Sequence, residues 1–213
     1  VELVIRQLPL QDYYTTWMAM QSWVLQRQQN LVNNEIWLLE HPPVYTQGQA
    51  GLAQHLLDAK GIPLVQTDRG GQITYHGPGQ LISYFLLRLQ DFDLQVRSLV
   101  NTVEALIVEL LATYGIHAQI DTNRPGVYVP LVQSKQLAKI ASLGFRIRQG
   151  ICYHGAAINV NMNLLPFEGI NPCGHAGLQM TQIQDWVETE LDFNQVSQRF
   201  AELCRQRFVA LSP

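Results

Sequence analysis

The chain reads as α+β, a mixed or mainly antiparallel sheet flanked by helices, and three observations carry that reading. Apolar residues recur at helical spacing in three places, over about 11–29, 95–114 and 193–210. Between them lie short apolar or alternating runs bounded by Gly, Pro and Asn, as strands are. The two kinds of element follow one another without a regular β-α-β rhythm, and neither an internal repeat nor a low-complexity linker interrupts them. At 213 residues the chain is long enough to bury a sizeable core, and it is taken as one catalytic-sized domain over 1–213, with a small subregion after Thr181 allowed but not demanded.

The first helix follows from Tyr13, Trp17, Met20 and Val24. Glu35–Glu40 is an apolar run that His41-Pro42-Pro43 stops, so it is expected as a buried strand. Thr46–Gly51 is expected as loop. Gly70–Gly79, with four glycines and a proline, lies between two β-rich pieces, of which Leu81–Leu87 is expected to be a central strand. The clearest helix spans Gln95–Tyr114, where Val96, Leu99, Val100, Val103, Leu106, Ile107, Leu110 and Tyr114 form one stripe and Gly115 is a natural stop. Strands are expected at 118–120, 126–129, 140–148 and 151–161. The last helix rests on Val196, Phe200, Leu203 and Cys204.

Composition narrows the function classes. Hydrophobic residues make up 47% and charged residues 15%, which excludes wholesale disorder. A net charge of -3 without a block of like charges argues against nucleic acid as the main partner. No apolar run reaches the roughly 20 residues that span a bilayer, and the N-terminal residues lack the features of a secretory signal. Three widely spaced cysteines do not read as a disulfide framework. The expectation is a cytoplasmic protein of a reducing compartment, without membrane association.

Among residues that carry chemistry, Cys173 in Asn171-Pro172-Cys173-Gly174-His175 comes first. A proline before the thiol fixes the chain and a glycine after it removes bulk, presenting the sulfur at a turn. A thiolate accepts an acyl group and passes it on, given a nearby cation or base. The alternative is a small buried hydrophobe, the better reading for Cys204 and for Cys152, which alternates with His154, Ala156, Ile158 and Val160. Lys139 opens the run Lys139–Gly144. Regular alternation there puts Lys139, Ala141, Leu143, Phe145 and Ile147 on one apolar face. Burial disfavours an ammonium and makes such a lysine a proton acceptor for a thiol; the alternative is that alternation breaks and the side chain reaches water. Arg69–Gln80 offers backbone: Gly70, Gly71, Gly77 and Gly79 let N–H groups approach a carbonyl and serve as an oxyanion hole. No Gly-Lys-Ser/Thr follows, so this is not a phosphate loop, nor does it carry a dinucleotide fingerprint. His76 and His154 share a Tyr-His-Gly setting that suggests narrow walls around an extended ligand. Cys173, His175, His76 and His154 match no common zinc spacing, so no metal is expected.

Taken together these segments resemble the octanoyltransferases of lipoate biosynthesis. The resemblance runs through Glu40–Gly48, Arg69–Leu81, Pro125–Val129, Lys139–Gly144, Tyr153–Val160 and Asn171–Gly174. It implies the fold shared by biotin ligases and lipoate–protein ligases. It also implies transfer of an octanoyl group from octanoyl-acyl carrier protein to a lysine of the lipoyl domains of 2-oxoacid dehydrogenase and glycine cleavage proteins. Mapped onto this sequence, it makes Cys173 the acyl-thioester nucleophile and Lys139 the base that lowers the thiol's pKa. Acyl-binding contacts map onto Arg69, Gly70, Gly71, Gln72, Ile73, Thr74, Tyr75 and His76, onto Ser142, Leu143 and Gly144, and onto Gly155, Ala156 and Ala157, with His154 beside them. No cofactor and no ATP are implied. An ATP-dependent ligase of the same fold leaves Pro172-Cys173-Gly174 unexplained, and a silent carrier-binding module leaves Cys173 and Lys139 together unexplained.

Overall fold

The computed structural model describes residues 1–121, 124–131, 136–172 and 177–212. Among the described residues ten strands and three α-helices follow in the order β1 (Leu3–Gln7), α1 (Tyr13–Gln28), β2 (Asn34–Leu39), β3 (Val44–Gln47), β4 (Leu64–Gln66), β5 (Ile73–His76), β6 (Gln80–Arg88), α2 (Val96–Ala112), β7 (Gln119–Asp121), β8 (Arg124–Pro130), β9 (Leu137–Arg148), β10 (Ile151–Asn159) and α3 (Phe193–Leu211). A seven-stranded sheet runs β1-β2-β6-β10-β9-β8-β7, and a small sheet runs β4-β3-β5. Within the large sheet β1 and β2 are parallel and the other neighbours antiparallel. This is the mixed sheet flanked by helices that the sequence predicts.

The large sheet is covered on both faces, and strand alternation divides its side chains between them. Leu81, Phe85 and Leu87 of β6, with Ala156 and Ile158 of β10, pack under α2 and α3 in the main core. Ile82, Tyr84 and Leu86, with Ile151, Tyr153 and Ala157, face Met20, Trp23 and Val24 of α1. Because β6 and β10 are sandwiched, they read as continuous apolar runs rather than alternating ones. Helix α1 starts where the Asp12 carboxylate accepts the Thr15 N–H at 2.8 Å. Helix α2 buries Leu99, Val103, Leu106, Ile107, Leu110 and Leu111, each worth about 1.5–3 kcal/mol of burial. Its expected stripe holds except at the first turn, where Val96 is exposed.

Three strands were not expected: β1, a short edge strand; β3, which replaces part of the loop expected at Thr46–Gly51; and β5, which lies inside the Gly-rich segment Gly70–Gly79, whereas β4 falls in the β-rich stretch before that segment. β3 is held between β4 and β5, with Tyr45 in a third apolar cluster beside Ile73, Tyr75 and Phe167. Its four residues are too few to show a period, and the partners that hold it lie elsewhere in the chain.

Candidate active site

A cavity of about 270 Å³ lies on the α1 side of the large sheet, where β5 and the segment before it cross over β9 and β10. Arg69, Gly71, Gln72, Ile73, Thr74 and His76 line it, opposite Ser142, Leu143 and Gly144 of β9 and His154, Gly155, Ala156 and Ala157 of β10; Lys139 closes one side. Gly70 and Tyr75 sit just outside. The Gly70 N–H donates to the Phe145 carbonyl at 2.9 Å and ties the Gly-rich segment to β9. Tyr75 joins the small-sheet core against Tyr45 and Phe167. Cys173 lies outside the described residues, as do Gly174 and His175.

Close backbone approach shapes the walls. A Cβ on Gly155 would stand 1.9 Å from the Ser83 carbonyl oxygen of β6, so no larger residue passes there without moving a central strand. Arg69 knits its own segment together: Nε and Nη2 donate to Thr46 Oγ1 at 3.1 and 2.9 Å, Nη1 to the Gly70 carbonyl at 2.8 Å, and Nη2 to the Gln72 carbonyl at 2.7 Å. The expected array of glycine N–H groups is only partly available for a ligand. Gly70 donates to Phe145, and the Gly79 N–H donates to Glu40 Oε1 at 2.6 Å; of the four glycines it is Gly71 that lines the cavity.

Lys139 is 1% exposed. It does not enter the main core with Ala141 as regular alternation requires. The β8–β9 register shifts between Val127 and Tyr128, which oppose Ala141 and Lys139, so β9 carries an extra residue there. Ile140 and Ala141 consequently both enter the main core, and Lys139 turns to the cavity without reaching water. Its Nζ donates to the Pro125 carbonyl at 2.9 Å and stands 5.3 Å from the Tyr128 ring centroid. Its backbone is bonded on both sides to the segment Gln179–Thr181: Lys139 N–H to the Gln179 carbonyl at 2.8 Å, and Thr181 N–H to the Lys139 carbonyl at 3.0 Å.

His154 also departs from expected alternation. Its φ of +61° turns the side chain away from Cys152 and Ile158 and into the cavity wall, a conformation that costs a β-strand residue about 1–3 kcal/mol. The ring bonds Asp68 Oδ1 at 2.9 Å. Burial opposes ionisation of Asp68, but hydrogen bonds from His154, Tyr153 and Trp17 outweigh it and hold the carboxyl well below the usual range. Burial holds His154 below the ordinary histidine value against the pull of that carboxylate. His76 is pressed down to about 3 by burial first and by the neighbouring His41 second. The described cysteines are not nucleophiles: burial pushes the thiols of Cys152 and Cys204 well up. Among the described residues no cluster of three or more His, Cys, Asp or Glu side chains is placed to hold a metal ion.

Sequence reasoning missed Tyr13, Tyr84, Arg124 and Pro125 as lining residues, and Thr46, Asp68 and His41 as the polar support behind them. It also missed Glu104, 3% exposed on the apolar side of α2. A lone acid inside that stripe was the available signal.

The mixed sheet clad on both faces is a fold that solved ligases share. Over 98% of this chain and 89% of its own, a bipartite lipoate protein ligase from Thermoplasma acidophilum superposes with a TM-score of 0.66 at 17% identity. A biotin protein ligase from Aquifex aeolicus superposes with a TM-score of 0.57 at 14% identity, over 98% of this chain and 69% of its own. The sequence narrows the class: residues 12–205 match the lipoyl protein ligase A/B catalytic domain, and the chain belongs to that family. An octanoyltransferase from Pseudomonas fluorescens (strain SBW25) is 53% identical over 197 residues, covering 92% of this chain and 88% of the relative.

Proposed function

We propose that this protein is an octanoyltransferase acting in protein lipoylation, moving an octanoyl group from octanoyl-acyl carrier protein through a thioester on Cys173 to the acceptor lysine of a lipoyl domain. The observation that carries the reading is the buried Lys139 beside an apolar-walled cavity, in a chain about half identical to an octanoyltransferase. Ile73, Ile82, Leu143, Ala156 and Ala157 offer the acyl chain a dry surface. At about 0.8 kcal/mol per buried methylene, an octanoyl chain gains roughly 5 kcal/mol there.

In this reading Lys139 Nζ takes the proton of the Cys173 thiol, and the thiolate attacks the donor's thioester carbonyl. Backbone N–H groups of the Gly-rich segment, with Gly71 at the cavity, steady the oxyanion. The phosphopantetheine sulfur leaves with the proton from Lys139, and octanoyl-Cys173 remains. The acceptor lysine's amine then attacks that thioester, an amide forms, and the Cys173 thiol is restored. Thioester to amide is downhill, so neither ATP nor another cofactor is required. The lipoyl domains of 2-oxoacid dehydrogenase and glycine cleavage proteins are the acceptors this reading names.

Incubation with octanoyl-acyl carrier protein followed by intact-mass measurement tests it. The expected result is a thioester-labile octanoyl adduct on Cys173, discharged by a lipoyl domain and absent from Cys173→Ala. Full transfer by Cys173→Ala refutes the thioester route. Modification of the acceptor only with octanoate and ATP replaces the transferase with a ligase.

A further inference from the structure

The Pro125–Gly126 peptide is held from both edges by opposite charges. Its carbonyl oxygen accepts from Lys139 Nζ at 2.9 Å, and its N–H donates to Glu104 Oε1 at 2.9 Å. The two side chains come from different layers: Lys139 from β9, Glu104 from α2 on the far face of the sheet. Both are almost fully buried, at 1% and 3% exposure. A carboxylate left in an apolar helix face costs several kcal/mol unless it is paired, and here it accepts from the peptide that also receives the lysine. Gly126 makes the arrangement possible. Its φ is +139°, and a Cβ would stand 2.5 Å from Lys139 Cε and 3.0 Å from Nζ.

We infer that Glu104 is a positioning residue for the transfer reaction, acting on Lys139 through the one peptide between them. A trans peptide is planar and delocalised, so a carboxylate on its N–H draws negative charge onto the carbonyl oxygen. That oxygen accepts from Lys139 Nζ, so the bond to it strengthens as Nζ takes the thiol proton, and the resulting thiolate–ammonium pair is held together. The inference rests on the proposed role of Lys139 as the base for Cys173.

The other charged and titratable groups around the lysine are placed differently. Arg124 of β8 is paired with Asp121 and lies over the Tyr128 ring at 5.2 Å. Tyr128 presents its ring to Nζ. Arg69, Tyr13, His76, Tyr84 and His154 line the rest of the cavity. Burial holds the Glu104 carboxyl above its usual range, against the opposing pulls of the Gly126 N–H and the Lys139 charge. This carboxylate depends on the lysine as the lysine depends on it.

The test is the rate of Cys173 alkylation by iodoacetamide as a function of pH, located by peptide mass. It is run on the wild-type protein, Glu104→Gln, Lys139→Ala and the double variant. The glutamine keeps an oxygen for the Gly126 N–H and removes only the charge. The expected result for Glu104→Gln is a curve moved up by about one pH unit, a kcat for octanoyl transfer lowered about tenfold, and a KM for octanoyl-acyl carrier protein within about twofold. Glu104→Asp, which keeps the charge but withdraws it, moves the curve less. The double variant superposes on Lys139→Ala, because the effect has no other route. If Lys139→Ala moves the curve and both Glu104 variants leave it in place, the relay is wrong and the role of Lys139 stands. If Lys139→Ala also leaves it in place, both fall.

Discussion

Two histidines buried behind the cavity make stability strongly dependent on pH. His41 and His76 have ring centroids 6.0 Å apart. His41 Nδ1 lies 2.6 Å from the Gln11 carbonyl, so it donates, and Nε2 accepts from the Tyr84 hydroxyl at 2.7 Å. His76 is arranged alike: Nδ1 donates to Gln80 Oε1 at 2.8 Å, and Nε2 faces Thr46 Oγ1 at 3.2 Å. Both rings are thus fitted to the neutral form. Burial pushes His41 down to about 4 and His76 down to about 3. In the unfolded chain each titrates near 6.5, so between that pH and the folded value the unfolded state binds more protons. Stability from both residues is then fully present above about pH 6.5 and is lost as pH falls. The slope approaches about 1.4 kcal/mol per pH unit for each histidine as pH falls below 6.5, which gives roughly 3 kcal/mol for the pair between pH 6.5 and 5. That is a large share of a domain stability of about 5–15 kcal/mol. Asp68, whose carboxyl is held down, adds in the same sense but only once pH falls below about 4, the unfolded aspartate range. Urea unfolding followed by tryptophan fluorescence at several pH values between 7.5 and 5 measures the slope. His41→Gln removes one of the two contributions and should roughly halve it. An unfolding free energy that stays level from pH 7 to pH 5 refutes the reasoning.

Two substitutions test the packing around the site and under it. Gly155→Ala drives a methyl group into the Ser83 carbonyl. It should cost about 1–3 kcal/mol and lower Tm by roughly 3–10 °C, with transfer activity reduced along with it; an unchanged Tm means β6 and β10 are not packed as described. Phe208→Ala empties a fully buried position between Phe85 and Phe92. Its expected cost is about 3–5 kcal/mol in urea unfolding, whereas a loss below about 1 kcal/mol would place α3 off the sheet.

The parts of the fold legible in the sequence are those whose signal is local. Helix α2 declares itself because Leu99, Val103, Leu106, Ile107 and Leu110 repeat at the helical period and Gly115, at φ +73°, ends the turn. Central strands β6 and β10 declare themselves because a buried strand must be apolar on both faces. Strands β1, β3 and β5 have four or five residues each, and their pairing depends on partners the local sequence does not contain. The candidate site was legible as residue types in separate segments, among them the Gly-rich run, the Lys139 strand and the Tyr153–Ala157 strand. The polar support behind it was not. Asp68, Thr46 and His41 each look like ordinary loop or strand residues until the small sheet is folded over the large one.

What no reading of periodicity could supply is which way two of the polar residues point. Strict alternation sends Lys139 into the main core with Ala141, and His154 there with Cys152 and Ile158. Each would then be a buried polar group against apolar neighbours, at a cost of several kcal/mol. The chain avoids this with two backbone departures on adjacent strands: an extra residue near Ile140, and a positive φ at His154. At Ile140 a one-residue slip exchanges the two faces of β9, whereas at His154 the register is unbroken and the positive φ alone turns the side chain from the core face to the cavity. The strain is local and the gain is a site whose lysine and histidine are mounted on interior strands of the large sheet. It also explains why Glu104 needs to approach from the far layer. With Lys139 turned through the sheet to the cavity, the Pro125–Gly126 peptide at the bulge is where a carboxylate on α2 and an amine on β9 can both reach the same group.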